Sequence, residues 1–449
     1  MCYTPKRQYE TEGLMMERLD TEKKDIYKGS RLCYILEAAV EYFISILVGT
    51  TYLAKLTSSI GISDGVTGIL SSFISLGCGF QILALLLSGG GSKKRLITGM
   101  TLIHQLLFTF LYVVPLFDLS KNTKTVIFVV LLVLAYFLKN LVFAPKTAWM
   151  MSLVDDSFRG RFTAKKEIVS LISGMVVQIV MGRVIDTFEE RGNLQSAFIV
   201  STAVLLVFTV AHVMLLILTK EKKEVESIAT ISVKEQLKSA ITDKNLHALI
   251  PLYILWNVAN YITTPFYGTY QLKDLGFSMT FVAVLSIIYA LVRSLVSPMF
   301  GKLADKRSFA TMLKICFGIK IFAFVFNMIA GQVFYTVYYI LSAIALAGIN
   351  GGMLNIIYDY IPHTRRTGAL AICNSISGVL GFFATLAAKP LVDYIQSQGN
   401  KFLFFEHIYA QQLLSFLAAV IIFVIILYLH FVVSKLCKPS ANPVSDNAI

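Results

Sequence analysis

The sequence predicts an all-α integral membrane protein, with twelve transmembrane helices in two pseudo-symmetric six-helix bundles and both termini cytoplasmic. Three observations carry that reading. Of 449 residues, 56% are hydrophobic and only 15% charged, whereas a soluble domain carries about 25% charged residues. The apolar residues gather into runs of roughly 20 or more, long enough to cross a hydrocarbon core. Most of the 40 Lys and Arg fall in the two tails and in alternate connections, the asymmetry that marks cytoplasmic loops. The formal charge of +13 therefore reflects topology. It implies a lipid bilayer with anionic headgroups as partner and no nucleic acid.

Residues 1–31 are polar and charged and form a cytoplasmic tail. No cleavable signal is expected, because the first apolar run, 33–56, exceeds the length of a signal core. Further spans follow at 66–88, 96–117, 126–152, 168–188 and 197–219, completing an N-terminal bundle over 32–219. A lysine-rich cytoplasmic linker covers 220–248. The C-terminal bundle, 249–433, holds spans at 249–271, 280–300, 309–330, 333–360, 368–395 and 408–433. The polar tail 434–449 is expected to be disordered. Runs this long in lipid must be helices, since hydrocarbon offers backbone groups no other partner. Six Cys (2, 33, 78, 316, 373, 437) show no metal-ligand spacing and no disulfide framework.

Six spans on either side of one polar linker suggest a duplicated domain, and an internal repeat agrees. Asp155, Arg161 and Ser173-Gly174 in the first half recur with the same spacing as Asp359, Arg365 and Ser377-Gly378 in the second. The connection between the second-half spans 280–300 and 309–330 reads Gly301-Lys-Leu-Ala-Asp-Lys-Arg307. It is expected to be a short basic loop, with Gly301 permitting a sharp exit from the helix.

That loop resembles the signature loop of the major facilitator superfamily, Gly-x-Leu-Ala-Asp-Arg/Lys-x-Gly-Arg/Lys. Gly301, Leu303, Ala304, Asp305 and Lys306 match it, while Ser308 and Phe309 depart from it. The equivalent first-half stretch, 89–95, lacks the Asp. The resemblance implies two bundles rocking about a midplane site lined by the first and fourth helices of each half. It also implies a conformational latch on the cytoplasmic side formed by Gly301, Asp305 and Arg307, with Arg161 and Arg365 as partners, and a monomer in the plasma membrane.

Charged and polar residues inside spans are expensive in lipid and therefore mark either function or buried pairing. Glu37 and Glu41, four apart in the first span, share one helix face. A pair of carboxylates there suits proton coupling; the alternative for Glu37 is snorkelling or pairing with a lysine. Lys139 and Asn140 in the fourth span are candidate substrate contacts, and Lys139 is placed to pair with Glu41 or with a substrate anion. Lys146 is expected to snorkel toward the cytoplasm. The seventh span carries a polar stripe of Tyr253, Asn257, Asn260, Thr264 and Tyr267, able to hydrogen-bond and stack on a polar organic solute. Pro265 is expected to break that helix. Asn350 and Asn355, around a Gly pair in the tenth span, are further candidates; interhelical packing is the alternative for all of these amides. His104 and His212 read as packing residues, and Arg293, Lys314 and Lys320 as structural partners. Arg183/Asp186 and Lys389/Asp393 read as charge pairs bracing the outer gate.

No nucleotide-binding loop, Cys/His metal spacing or nucleophile constellation is present, so neither an enzyme nor a cofactor is expected. The expected function is secondary active transport of a small polar organic solute, sugar- or glycoside-like, by proton-coupled symport, with a proton favoured over sodium. The alternatives are a proton-driven exporter of hydrophobic compounds, disfavoured because span 168–188 has no Pro, and a non-transporting receptor or assembly factor on the same scaffold.

Overall fold

A computed structural model describes residues 26–79, 94–154, 159–221, 241–362, 365–401 and 408–436. The tails, most of the stretch 89–95, Asp155 and most of the linker lie outside the described residues. The first half comprises α1 (Lys28–Leu47), α2 (Thr50–Ile60), α3 (Asp64–Ser71), α4 (Phe73–Gly79), α5 (Lys94–Val113), α6 (Lys121–Ser152), α7 (Arg159–Glu190) and α8 (Leu194–Leu218). The second comprises α9 (Lys244–Tyr261), α10 (Met279–Lys306), α11 (Phe309–Asn327), α12 (Gln332–Tyr360), α13 (Arg366–Ser397) and α14 (Ala410–Phe431).

Ten helical stretches among the described residues are long and apolar enough to cross a membrane. α1 and α2 form one of them, Lys28–Ile60, interrupted at Val48-Gly49. The expected second span begins as α3 and α4, hydrogen-bonded through Ser72. The expected seventh span is broken where Pro265 predicts. α9 ends at Tyr261, Thr264–Phe266 is a 3₁₀ turn, and Tyr267–Thr269 leads into a π turn at Tyr270–Asp274.

The outer surface of the bundle is apolar. On α8, Leu206, Val207, Val210, Met214 and Ile217 are exposed, while Ser201, Leu205, Thr209 and His212 are buried. The polar side chains of this helix thus turn inward and the aliphatic ones toward lipid, as a bilayer solvent requires.

The two halves pack alike. In the first, α1 lies on α7, α5 on α6, and α8 on both α5 and α1; in the second, α9 lies on α13, α11 on α12, and α14 on both α11 and α9. The halves meet along three seams: α3 and α4 against α13, α7 against α10, and α2 and α3 against residues 264–274. Ser75 Oγ donates to the Gly378 carbonyl (2.7 Å) and Ser375 Oγ to the Cys78 carbonyl (3.0 Å) along the first seam.

The chain enters α1 and leaves α14 at one end of the bundle, here the tail end. Lys220 N donates to Ser30 Oγ there (3.0 Å), and Tyr428 OH to the Ala248 carbonyl (2.8 Å). The opposite, far end is tied across the halves. Asp64 accepts from Lys273 Nζ (2.5 Å) and Gln396 Nε2 (2.7 Å), and Thr51 Oγ1 donates to Gln271 Oε1 (3.1 Å). Asp186, 6% exposed, accepts from the Met279 and Thr280 amides at 2.8 and 2.7 Å. A carboxylate from one half therefore caps the first turn of a helix in the other, where the unpaired amides and the helix dipole favour an anion.

Two expectations about charged segments are corrected here. The stretch 301–306 is not a loop. α10 continues through it to Lys306, the turn falls at Arg307, and Ser308 caps α11 through the Thr311 amide. Gly301 makes no sharp exit, and a side chain there would meet open space. Asp186 is held by the α10 amides and not by Arg183, which is exposed. Lys389 and Asp393 do pair, at 2.6 Å.

Candidate functional site

A cavity of about 1180 Å³ lies between the halves. α1, α6 and α7 form one wall; α10, with Tyr267 and Tyr339, forms the other. Tyr52, Gln271 and Met279 line it at the far end, just inside the ties described above, and Lys166, Glu167, Ser297 and Pro298 line it toward the tail end. The cavity is therefore shut at the far end and extends to the tail end. Its wall mixes charge, hydroxyl and aromatic groups, including Glu41, Tyr42, Ser45, Lys139, Gln178, Ser286, Tyr289 and Arg293.

The strongest electrostatic feature sits behind this wall. Lys146 Nζ on α6 lies 2.5 Å from Glu37 Oε1 and 2.6 Å from Glu41 Oε2, both on α1. His212 Nε2 on α8 is 2.9 Å from the same Glu37 oxygen, placed for its N–H to donate, and Gln105 on α5 hydrogen-bonds His212 Nδ1. Four helices thus converge on one glutamate. The Glu37 side chain is 1% exposed, whereas that of Glu41 is 27% exposed and reaches the cavity. The i, i+4 spacing puts both carboxylates on one face, and one ammonium joins them to α6.

Lys146 and His212 revise their expected roles. Lys146 does not snorkel; its ammonium is buried between two carboxylates. His212 is fully buried and bonded at both ring nitrogens. The sequence signal for the lysine was level. Glu37 and Lys146 both lie within a few turns of the tail end of antiparallel helices, so a long side chain can join them. For His212 the only signal was a lone imidazole among aliphatic residues.

The remaining candidates divide. Lys139 lines the cavity, its Nζ 6.0 Å from the Phe108 ring centroid. Tyr267 also lines it, and its hydroxyl hydrogen-bonds that of Tyr338. Asn140 does not line it. Its amide donates to the Tyr136 carbonyl (2.8 Å) and packs on Gly77, where any side chain would collide with it. Tyr253 is buried inside the second half, its hydroxyl donating to the Met353 carbonyl. Asn257 donates to Ser377 Oγ (3.0 Å), and Asn260 accepts from Thr264 Oγ1 (3.1 Å). Most of the polar stripe thus serves helix packing, with Thr264 and Tyr267 reaching the cavity. Asn355 donates to the Gly351 carbonyl (2.9 Å), and Asn350 is exposed on α12; neither lines the cavity.

The latch residues are not assembled. Gly301, Asp305 and Arg307 are exposed, and Asp305 makes no ion pair among the described residues. Arg365 pairs instead with Asp243 of its own half, at 3.4 Å. Arg161 is exposed near the start of α7.

Lys320, expected to be a structural partner, is buried and has no acidic partner among the described residues. Its ammonium lies 2.8 Å from Ser342 Oγ and 4.6 Å from the Phe324 ring centroid. Arg293 reaches the cavity wall and has no ion pair among the described residues.

No curated protein sequence matches the chain. Among solved structures, the D323A mutant of the nucleoside transporter NupG superposes with a TM-score of 0.70 at 11% identity, covering 89% of this chain and 99% of that one. A bacterial homologue of the human lysosomal transporter Spinster, inward-facing and unoccupied, gives 0.67 at 12% identity over 91% and 97% of the two chains. A D-xylose–proton symporter gives 0.62 at 14% identity over 87% and 96%. At these identities the likeness is one of fold. The family model for the Major Facilitator Superfamily matches residues 32–385, and the chain belongs to that superfamily.

Proposed function

We propose that this protein is a secondary active transporter that moves a small, hydroxyl-rich organic solute together with a proton by alternating access. The observation that carries the proposal is Glu41. It is a carboxylate on the wall of the central cavity, ion-paired through Lys146 to the fully buried Glu37. Such a group can exchange a proton with cavity water, and its partners register the change directly. The polar-solute reading is supported by Tyr42, Tyr267, Tyr289 and Tyr339 and by Ser45, Ser286, Ser294 and Ser297, which line the cavity from both walls, a mixture suited to stacking and hydrogen bonding. A cavity shut at one end and open at the other is one half of an alternating-access cycle.

The test is Glu41→Gln in proteoliposomes carrying a pH-sensitive dye, challenged with sugars, nucleosides and organic acids. Solute-dependent proton movement and concentrative uptake are expected in the wild type and absent in the variant, while solute exchange persists. Undiminished accumulation in Glu41→Gln would remove the coupling assignment.

A further inference from the structure

Lys139 and Arg293 stand on opposite walls of the cavity, one in each half, and neither has an acidic partner of its own among the described residues. Glu41 is the acid within electrostatic reach of Lys139, but Lys146 engages it at 2.6 Å; Glu37, Glu41 and Lys146 together keep one net negative charge, which balances Lys139 while Glu41 is ionised. The two cations also reach the same part of the cavity: Lys139 lies within electrostatic range of Glu41, and Arg293 within range of Tyr42, the next residue on α1. Arg293, which has no counter-charge among the described residues, and Lys139, whose balance is lost when Glu41 takes a proton, face one cavity among hydroxyls and make a receptor for negative charge.

We infer that the transported solute is an organic anion of the sugar-acid or sugar-phosphate type, held between Lys139 of the first half and Arg293 of the second. This rests on the transporter reading and deepens it. An anion touching both walls would replace repulsion between the two cations by attraction to a common ligand. It would draw the halves together at the tail end, the motion that alternating access requires. The proton fits the same arrangement. Glu41 is faced by Lys139 and Lys146 from α6, His104 from α5, His212 from α8 and Glu37 from its own helix, while α7 brings Lys166 and Glu167 to the wall. A proton on Glu41 leaves Lys146 to Glu37 and adds one positive charge to the wall. Anion and proton then favour each other's binding reciprocally.

The test compares solutes matched in size and hydroxyl pattern but differing in charge: gluconate, glucose 6-phosphate, glucose and glucosamine. Binding is read as a rise in melting temperature of the purified full chain at mildly acidic pH. Gluconate or glucose 6-phosphate is expected to stabilise the protein, with glucose and glucosamine silent. Arg293→Gln is an exposed-site change that leaves folding intact, and it is expected to weaken the anion at least tenfold. Lys139→Gln should do the same, while Lys314→Gln, which does not line the cavity, should leave the affinity unchanged. Stabilisation by glucose or glucosamine equal to that by the anions would overturn the inference and leave the transporter reading standing. So would silence from both anions, or anion binding that survives Arg293→Gln and Lys139→Gln undiminished. The transporter reading itself fails only if uptake of every solute class is absent.

Discussion

Asp186→Asn should open the far end. In the structure both carboxylate oxygens are used, one on the Met279 amide at 2.8 Å and one on the Thr280 amide at 2.7 Å, in a site 6% exposed. Asparagine keeps one acceptor oxygen but presents an NH₂ group to the second amide and removes the charge that the α10 N-terminus favours. A hydrogen bond to a charged group contributes about 1.5–3 kcal/mol. Because the bonds cross from one half to the other, their loss falls on the closed far end and not on the fold of either half. A change of that size alters the ratio of closed to open forms by about 10- to 150-fold. Ser286→Cys, on the cavity wall one to two turns inside the far-end closure, supplies the reporter in a background lacking the native cysteines. A membrane-impermeant maleimide added from the far side should label it slowly when Asp186 is intact. Labelling should be at least tenfold faster in Asp186→Asn. Equal rates in the two proteins would refute the assignment of Asp186 as a closure contact.

Two further outcomes follow from the charged clusters. Lys146→Met strands the buried Glu37 and should destabilise the protein by about 3–5 kcal/mol, whereas Glu37→Gln leaves Lys146 paired with Glu41 and should cost less. The double variant should cost clearly less than their sum, and strict additivity in a double-mutant cycle would mean that the ion pair contributes nothing. At the far end, burial and the neighbouring Asp64 carboxylate push Asp274 up from 3.8 to about 7, against the lowering effect of Lys273. Its folded pKa is raised, so the folded state holds the proton longer than the unfolded chain. Stability contributed by the protonated form is then lost as pH rises from about 4 to about 7. Asp274→Asn should therefore match the wild type near pH 4 and exceed it above pH 7. The difference is at most about 4 kcal/mol and is reduced by the group's partial exposure. A wild type whose melting temperature parallels that of the variant across this range would contradict the shift.

Much of the architecture was legible because lipid leaves few alternatives. Apolar run length, Pro265 and the repeated Asp–Arg–Ser-Gly spacing depend on local sequence, and the helices, the break and the recurrent packing follow from them. The site was less legible, because a helix face does not say which neighbour it meets. Glu37 and Glu41 announced themselves by being carboxylates in an apolar run. Tyr253, Asn257 and Asn260 share a polar face with Tyr267, yet that face is divided between α13, α12 and the cavity, and only tertiary packing decides the division. Asn140 is one residue from Lys139, and the 100° turn between them sends one to the cavity and the other against Gly77. Gly301–Lys306 read as a loop because of its charges, but a helix that extends beyond the membrane surface tolerates charges equally well.

The central claim is that the cavity binds a small polar solute and couples it to a proton through Glu41. The most direct measurement is the melting temperature of the purified protein against sugars, sugar acids and phosphates, nucleosides and lipophilic cations, at mildly acidic and mildly alkaline pH. A solute at about 100 times its dissociation constant adds roughly 2.7 kcal/mol, enough to register. Stabilisation by a polar solute is expected, stronger at acidic pH and with that pH dependence abolished in Glu41→Gln. Stabilisation by lipophilic cations alone, or a polar-solute response indifferent to both pH and Glu41, would contradict it.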